Sequence, residues 1–317
     1  MKILLTDCAT LQSNNDLSLE ILEQFGEIVK YENITRTELL KEVVDADIIL
    51  CNKTIIDKEV FDSAPILKYI GLFATGFNNI DIIEAKKRNI PVCNAGSYST
   101  NAVTQQVIGY ILMHYTKIPE YNKFVKNGGW KDAKIFSPLV FTSDEIYGKT
   151  LGIIGFGSIG KAVKKAAEGL GMTVLVNTRT VLNDGETNFV DLDTLLKNSD
   201  IVSVHCPLNE QSADMMNDET FSKMKDGAFF INTSRGGTVD EQALFNALES
   251  GKLSGAAIDV LKNEPMKKDC ILTNAKNLII TPHTAWAPLA TRQRLLNIVA
   301  DNISSFLKGE TKNNVAK

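Results

Sequence analysis

Cysteine and histidine are scarce in this sequence, and their arrangement argues against both a disulfide framework and a zinc site. The 317 residues include five cysteines and three histidines. No two cysteines form a CxxC pair and their number is odd, so we expect neither a disulfide framework nor a zinc site. Reduced thiols are typical of a reducing compartment, which predicts a cytoplasmic protein without a metal site. The cysteines are Cys8, Cys51, Cys93, Cys206 and Cys270.

Excess charge and long apolar runs are also lacking. The formal net charge is −4 and both signs are mixed along the chain, which leaves no electrostatic footprint for nucleic acid or an anionic membrane. No stretch reaches the roughly 20 apolar residues of a membrane-spanning helix. The apolar run Ile3–Leu5 is shorter than the core of a signal peptide and is typical of a first buried strand. We therefore expect neither nucleic acid nor a membrane as a partner.

Short apolar runs alternate with helical patterns from one end of the chain to the other. A chain of 317 residues exceeds what one core usually holds, which favours two domains. Strand–helix alternation is typical of α/β domains built on doubly wound parallel sheets. Residues 119–147 lose regular periodicity, and they are either an oligomer arm or a surface loop.

A long helix is expected at residues 101–115, and a capping box of Thr35 and Glu38 predicts the start of another helix. Four apolar positions of the long helix are candidates for burial: Val103, Val107, Ile111 and Met113. His114 of the same helix is expected to serve in packing.

A glycine-rich turn follows the predicted strand at residues 151–154 and precedes a predicted helix. In a dinucleotide-binding GxGxxG turn, the first glycine permits the tight turn and the second lets the backbone approach a pyrophosphate. The third lets the helix pack closely on the strand. Gly155, Gly157 and Gly160 match these positions. The alternative is a glycine-rich turn that binds no ligand.

The end of the next strand bears on the choice between NAD and NADP. NAD-binding proteins place an acidic residue there to bind the ribose 2′-hydroxyl, whereas this chain has Asn177, Thr178, Arg179 and Thr180. Arg179 could pair with a 2′-phosphate, and the two threonines could donate hydrogen bonds to it. This pattern favours NADP. The alternative is that Arg179 is solvated and stacks on adenine, with NAD bound.

Three residues near the ends of predicted strands suggest one reaction. A guanidinium at Arg235 could grip the carboxylate of a 2-keto acid. His283 could protonate the keto oxygen as hydride arrives, and the carboxylate of Glu264 could favour the charged imidazole. Ligands bind beyond the carboxyl ends of strands in open α/β sheets, so the three side chains could converge. The alternatives are a surface arginine and a structural histidine.

Six segments occur in the order and spacing of the D-isomer-specific 2-hydroxyacid dehydrogenases. The resemblance covers Ile48 to about Asn302, and it is specific because the motifs occur together, although each is weak alone. It implies two Rossmann-like domains with the active site in the cleft between them, and it gives Arg235, Glu264 and His283 the catalytic roles described above. The segments are Gly155–Gly160, His205–Leu208, Asn232–Gly236, Gly255–Val260, Glu264–Pro265 and Thr281–His283.

The resemblance also implies further contacts. Backbone N–H groups of Ala74, Thr75 and Gly76 would meet the substrate carboxylate. Lys53 either reaches a second polar group of the substrate or is solvated, and Trp286 either shapes the wall near His283 or packs at a domain interface. Besides the three glycines, the residues expected at the cofactor are Thr104, Ser158, Ile159, Thr178, Arg179, Thr180, His205, Cys206, Pro207, Thr233, Ser234, Asp259 and Thr284.

Within the family, three segments resemble glycerate dehydrogenases, also called hydroxypyruvate reductases: residues 73–81, 98–100 and 282–286. This implies interconversion of hydroxypyruvate and D-glycerate, with glyoxylate and glycolate, or another 2-keto acid, as alternatives. A rival reading is a dinucleotide-sensing binding protein, because the C-terminal-binding-protein corepressors share this fold and the catalytic trio. A catalytically dead structural relative conflicts with the complete trio.

The expected layout follows from the same resemblance. Residues 1–98 with 287–317 would form a discontinuous substrate domain, and residues 99–286 would bind the dinucleotide. A homodimer is implied as well, formed chiefly through residues 99–150.

Overall fold

The structure is a computed structural model that describes residues 1–181 and 185–317. The chain forms two compact units: unit 1 is Met1–Ser99 with Trp286–Lys317, and unit 2 is Thr100–Ala285. The sequence-based boundaries therefore move by one residue each, and Ser99 and Trp286 belong to unit 1. The physical reason for Trp286 is its packing on the unit 1 core, where its ring meets the ring of Tyr98 edge-on at 6.1 Å.

Twelve strands are present in the described residues. Unit 1 contains β1 Lys2–Leu5, β2 Glu27–Lys30, β3 Ile48–Cys51, β4 Tyr69–Leu72 and β5 Val92–Cys93. Unit 2 contains β6 Thr150–Ile154, β7 Thr173–Asn177, β8 Asn188–Phe189, β9 Ile201–Val204, β10 Ala228–Asn232, β11 Leu253–Ile258 and β12 Leu278–Ile280.

Helices connect these strands. In unit 1 they are α1 Arg36–Glu42, α2 Lys58–Ser63, α3 Ile82–Lys87 and α10 Leu289–Leu307. In unit 2 they are α4 Thr100–Thr116, α5 Ile118–Lys126, α6 Ser158–Gly169, α7 Leu192–Asn198, α8 Asp218–Lys223 and α9 Glu241–Glu249. Short 3₁₀ helices lie at Cys8–Thr10, Glu20–Phe25, Val43–Asp45, Gly236–Thr238 and Ile271–Asn274.

Unit 1 is a five-stranded parallel sheet in the order β2-β1-β3-β4-β5. Successive side chains of a strand point to opposite faces, and the buried strand β3 shows this division. Ile48 and Leu50 belong to one core cluster, whereas Ile49 and Cys51 belong to the cluster on the other face. The strand order reverses between β1 and β3, because β2 lies on one side of β1 and the later strands lie on the other. The carboxyl ends of β1 and β3 therefore border a crevice.

Unit 2 is a seven-stranded parallel sheet in the order β12-β11-β10-β9-β6-β7-β8. Six of its strands follow the 3-2-1-4-5-6 order of dinucleotide-binding domains, and β12 extends that sheet. Core clusters cover both faces. The predicted α/β class with two doubly wound parallel sheets is therefore confirmed. The order reverses between β6 and β9, and this places a crevice beyond their carboxyl ends.

The long helix α4 departs from the prediction at one position. Val103, Val107 and Ile111 are buried as expected, but Met113 is 38% exposed and the prediction for it was wrong. A helix advances by 3.6 residues per turn, so Tyr110 completes the buried face and Met113 falls outside it. The ring of His114 stacks on Phe229 with centroids 4.0 Å apart, and its burial lowers its pKa to about 4.

Residues 119–147 are less irregular than the sequence indicated, because α5 occupies Ile118–Lys126. Pro119 lies in the first turn of this helix, where the missing N–H of proline costs no intrahelical hydrogen bond. Residues 127–149 contain neither helix nor strand. Of the helices that the structure describes, none is both long and apolar enough to cross a membrane.

Candidate active site

The glycine-rich turn lies at the crevice of unit 2, between β6 and α6. Gly155 has φ +98°, and a Cβ placed there would lie 2.5 Å from the backbone N of Cys206. A Cβ at Gly160 would collide with the carbonyl oxygen of Gly155. A Cβ at Gly157 would have no neighbour within 4 Å. Two of the glycines therefore serve close backbone packing, while Gly157 borders open space.

Several features of this crevice fit a dinucleotide. Helix α6 begins at Ser158, and its first N–H groups have no partner within the helix and carry partial positive charge. Such helix N-termini bind phosphate groups. The hydroxyl oxygen of Thr233 is buried without a hydrogen-bond partner among the described residues, as expected for a group that bonds a ligand. These residues could hold the pyrophosphate and the adjoining part of a cofactor.

The residues expected to choose between NAD and NADP follow β7 directly. The backbone N of Gly155 donates to the carbonyl of Asn177 at 2.8 Å, so this segment starts beside the glycine turn. Thr178 is half-buried, whereas Arg179 and Thr180 are exposed. Burial raises the pKa of the Cys206 thiol, and the positive charge of Arg179 opposes this rise.

The other predicted cofactor residues have varied surroundings. Ile159 is half-buried and Pro207 is exposed. The imidazole Nε2 of His205 lies 2.9 Å from the hydroxyl of Ser203, and burial lowers the pKa of His205 to about 4, so its ring is neutral. The Thr104 hydroxyl donates to the carbonyl of Thr100 at 2.9 Å. The cofactor roles of these residues stay predictions.

Glu264 and His283 form a close pair at the carboxyl edge of the sheet. They follow β11 and β12, and Glu264 Oε2 lies 2.7 Å from His283 Nδ1. Glu264 Oε1 accepts a hydrogen bond from the backbone N of Leu261 at 2.9 Å. The carboxylate is thus oriented from its own loop, and His283 Nε2 makes no hydrogen bond to the described residues. A pair of this geometry can hold one imidazole tautomer and stabilise the imidazolium.

Arg235 lies in the turn after β10, beside the loop that carries Glu264. A Cβ on Gly236 would collide with the carbonyl of Leu261, so the two loops are in direct contact. Nη1 of Arg235 donates to the carbonyl of Ser234 at 2.8 Å. Within residues 1–181 and 185–317, no carboxylate lies within ion-pair distance of this guanidinium. It is therefore a cation that a substrate carboxylate could bind.

Sequence reasoning missed Asn232, which holds the Arg235 turn. Asn232 is buried at the end of β10; its Oδ1 accepts from the backbone N of Ser234 at 3.0 Å and from the Ser234 hydroxyl at 2.8 Å. Its Nδ2 donates to the carbonyl of Arg235 at 3.0 Å. An asparagine at a strand end is a turn signal that could have indicated this role.

Asp259 has a further role that the sequence did not indicate. Its buried carboxylate accepts hydrogen bonds from the backbone N of Thr284 and of Ala285, both at 2.9 Å. It also accepts one from the Thr281 hydroxyl at 2.5 Å. These bonds fix the loop in which His283 adopts the left-handed value φ +55°. Asp259 and Thr284, both expected at the cofactor, thus also organise the catalytic loop.

The Ala74–Gly76 loop of unit 1 has the form of an anion site. It follows β4 at the carboxyl edge of the sheet. The backbone N–H groups of Ala74, Thr75 and Gly76 donate no hydrogen bond to any residue that the structure describes. Successive free N–H groups in a turn form concavities that bind anions. The free N–H groups therefore fit the expected contact with a carboxylate, which stays a prediction.

Lys53 lies in a loop that Asp7 organises, a residue that sequence reasoning missed. The buried Asp7 carboxylate accepts from the backbone N of Asn52 at 2.9 Å, of Lys53 at 2.6 Å and of Thr54 at 3.0 Å. Asp7 and Lys53 follow β1 and β3, at the crevice of the unit 1 sheet. The substrate contact of Lys53, and that of Trp286, stay predictions.

Comparison with known protein families shows which family the chain belongs to. The model for the NAD-binding domain of D-isomer-specific 2-hydroxyacid dehydrogenases matches residues 108–285. The chain belongs to the D-isomer-specific 2-hydroxyacid dehydrogenase family. It is therefore an oxidoreductase that acts on a CH–OH group with a nicotinamide dinucleotide, and Arg235, Glu264 and His283 all lie within that matched domain.

Relatives in this family span the whole chain. A hydroxypyruvate reductase from Blautia hydrogenotrophica is 39% identical over all of both proteins. A glycerate dehydrogenase from Methylorubrum extorquens is 38% identical, over 90% of this chain and 91% of its own length. An NADPH-dependent glyoxylate/hydroxypyruvate reductase from Sinorhizobium meliloti, solved with NADP and malonate, is 27% identical with a TM-score of 0.84. That match covers 99% of this chain and 96% of the solved one.

Proposed function

We propose that this dehydrogenase reduces hydroxypyruvate to D-glycerate and also catalyses the reverse reaction. The observation that carries the proposal is the Glu264–His283 pair, 2.7 Å apart. The loop of Glu264 contacts the turn of Arg235, whose guanidinium has no carboxylate partner in the described chain. A proton donor and a carboxylate-binding cation are what reduction of a 2-keto acid requires. Relatives named for hydroxypyruvate and for glycerate support this substrate pair.

Each side chain has one task in the reduction. A bound reduced nicotinamide supplies the hydride. Arg235 binds the substrate carboxylate and orients the keto group. His283 donates a proton to the keto oxygen, so that hydride and proton together convert C=O into CH–OH. Glu264 stabilises the imidazolium before transfer, and in the reverse direction His283 accepts the hydroxyl proton.

We further propose that unit 1 binds the substrate carboxylate through Ala74, Thr75 and Gly76. Their unpartnered N–H groups support this assignment. The contribution of both units to one active site is a prediction from the family resemblance. We also propose that Lys53 and Trp286 contact the substrate.

The function test follows the loss of reduced cofactor with hydroxypyruvate, using glyoxylate and pyruvate as comparison substrates. Faster turnover of hydroxypyruvate supports the proposal, and faster turnover of another 2-keto acid replaces the substrate but keeps the reaction. If cofactor binds and no 2-keto acid is reduced, the sensing alternative replaces the enzymatic one.

Arg179 is proposed to select NADP. It is exposed beside the glycine turn, and the segment 177–180 contains no acidic residue. Replacing Arg179 with alanine is expected to raise KM for NADPH by about 10-fold, because a charge-assisted hydrogen bond to a phosphate is lost. KM for NADH should change by less than about twofold, since NADH has no such phosphate. A wild-type preference for NADH would contradict the assignment of NADP.

A homodimer is proposed through residues 99–150, in which the segment 118–147 exposes several large apolar side chains. This segment exposes Phe136 by 90%, Leu139 by 87% and Tyr147 by 76%, and exposed apolar side chains in one stretch mark interaction surfaces. Sedimentation of the wild-type protein is expected to give a dimer, and the double variant Phe136→Ser, Leu139→Ser a monomer. A monomeric wild type would contradict the proposal.

A cytoplasmic location is also proposed. All five cysteines are free thiols, and Cys8, Cys51 and Cys93 are buried. Such thiols are typical of reducing compartments. Cell fractionation with an antibody against the protein would test this location.

A further inference from the structure

The segment 94–96 after β5 bonds two carbonyl groups of the Ala74–Gly76 loop, those of Ala74 and Thr75. Nδ2 of Asn94 donates to the carbonyl of Thr75 at 2.8 Å, and the backbone N of Ala95 donates to the carbonyl of Ala74 at 2.9 Å. A peptide unit is planar, so fixing the carbonyl of one residue also fixes the N–H of the next. The two bonds therefore set the directions of the N–H groups of Thr75 and Gly76.

Orienting this loop requires a hydrogen-bond donor and an acceptor on one side chain, and the amide of Asn94 supplies both. Its Oδ1 accepts from the backbone N of Gly96 at 3.2 Å while Nδ2 is bonded to Thr75. The Thr75 hydroxyl donates in turn to the carbonyl of Gly96. An aspartate at this position would keep the acceptor, lose the donor and add a negative charge beside a loop that binds an anion.

Asn94 is itself held from two other parts of unit 1. Its backbone carbonyl accepts from Nδ2 of Asn302 at 2.9 Å, and its backbone N donates to the carbonyl of Asn313 at 3.1 Å. Nδ2 of Asn313 donates to Oδ1 of Asn302 at 2.9 Å. Asn302 is buried in α10, and buried amides with both ends bonded are costly to mispair. The position of Asn94 is thus closely fixed.

We propose that Asn94 is a positioning residue for substrate recognition: it orients the N–H groups of Thr75 and Gly76 toward the substrate carboxylate, braced by Asn302 and Asn313. This inference rests on the proposed function, since it takes the substrate to be a carboxylate held by that loop. Asn94 acts through the loop and takes no part in the chemical step. Its loss should therefore weaken keto-acid binding more than it slows turnover.

The test compares Asn94→Ala and Asn94→Asp with the wild-type full-length enzyme. Asn94→Ala is expected to raise KM for hydroxypyruvate by about 3- to 10-fold, with kcat and the cofactor KM within about twofold, since the side-chain hydrogen bonds to Thr75 and Gly96 are lost. Asn94→Asp should raise the same KM further, because it adds repulsion. The matched control is Asn297→Ala: Asn297 lies exposed on α10, and its side chain accepts a hydrogen bond from Gln293 at 3.1 Å. We expect wild-type constants for this control.

A second variant decides the question if the Asn94 variants do not fold. Asn313→Gly keeps the backbone carbonyl that Asn94 uses and suits the left-handed φ of +54° at this position, but it removes the amide bonded to Asn302. A smaller rise in the hydroxypyruvate KM is expected. Unchanged KM in the folded variants, or equal changes in keto-acid and cofactor KM, would overturn the inference alone. A wild-type enzyme that reduces no 2-keto acid would overturn the proposed function, and this inference with it.

Discussion

Replacing His283 with asparagine is expected to lower kcat for keto-acid reduction by about 10²- to 10⁴-fold, the usual contribution of a positioned general acid. The variant keeps a residue that tolerates the left-handed backbone found at this position, φ +55°, so the loss reports chemistry rather than strain. Steady-state rates measure the effect. Cofactor affinity, measured by fluorescence titration, should stay within about twofold because the glycine turn is untouched.

Two comparisons make this result specific to the acid role. His114→Gln changes a histidine of the same unit that packs on Phe229, and it should keep kcat near the wild-type value. Glu264→Gln should cost less than the loss of His283, because the imidazole stays in place without its carboxylate partner. If the His283→Asn variant retained a third or more of the wild-type kcat, another group would be the proton donor.

The direction of the pH dependence follows from the same role. Reduction needs the charged imidazole, so the rate of the chemical step should fall as pH rises. Oxidation of D-glycerate needs the neutral imidazole and should speed up as pH rises. Stopped-flow rates in both directions measure this, and flat profiles would argue against His283.

Arg235→Lys is expected to lower kcat/KM for hydroxypyruvate on the order of 100-fold, or about 3 kcal/mol, although the charge is kept. A guanidinium can bind a carboxylate through two parallel hydrogen bonds, whereas an ammonium is a point charge. The absence of a competing carboxylate around Arg235 in the described residues means that this binding capacity is available to a ligand.

The control for this variant is Arg88→Lys, which changes an arginine of unit 1 that pairs with Asp62 and Glu84. It should leave kcat/KM unchanged. An Arg235→Ala variant should partly recover activity on addition of free guanidinium ion, because the missing group is supplied from solution. An Arg235→Lys enzyme with near-normal kcat/KM would mean that another cation holds the carboxylate.

Local signals predicted much of the fold. The capping box of Thr35 and Glu38 begins α1 as expected, and α10 occupies the predicted residues 289–307. Buried strands such as β9 were predicted because a continuous apolar run between turn residues is a strong signal. Strand β2 was missed, since this edge strand begins with the exposed Glu27, ends with the exposed Lys30 and has only two apolar residues. Helix α5 was missed because it is a helix of nine residues at the start of the stretch 119–147, which was interpreted as irregular.

Some residues of the candidate site could also be predicted from the sequence, and others could not. Arg235, Glu264 and His283 could be found because each follows a strand within a recognisable motif. Asn232 and Asp259, which fix the catalytic loops, could not be found from the sequence. The neighbours of these loops are set by the order of strands in the sheet and not by distance along the sequence. The same is true of Asp7, which bonds residues 45 to 47 positions away. The sequence therefore indicates the chemical groups, and the tertiary structure gives the framework that orients them.

The order of the strands in unit 2 has a consequence for how this protein can evolve. The glycine turn follows β6 near the middle of the sheet, whereas the reactive side chains lie on loops after β10, β11 and β12 toward one edge. A single substitution on an edge loop could abolish turnover while the central strands and their ligand site persisted. Catalysis and the glycine turn can therefore be altered separately, without loss of the fold.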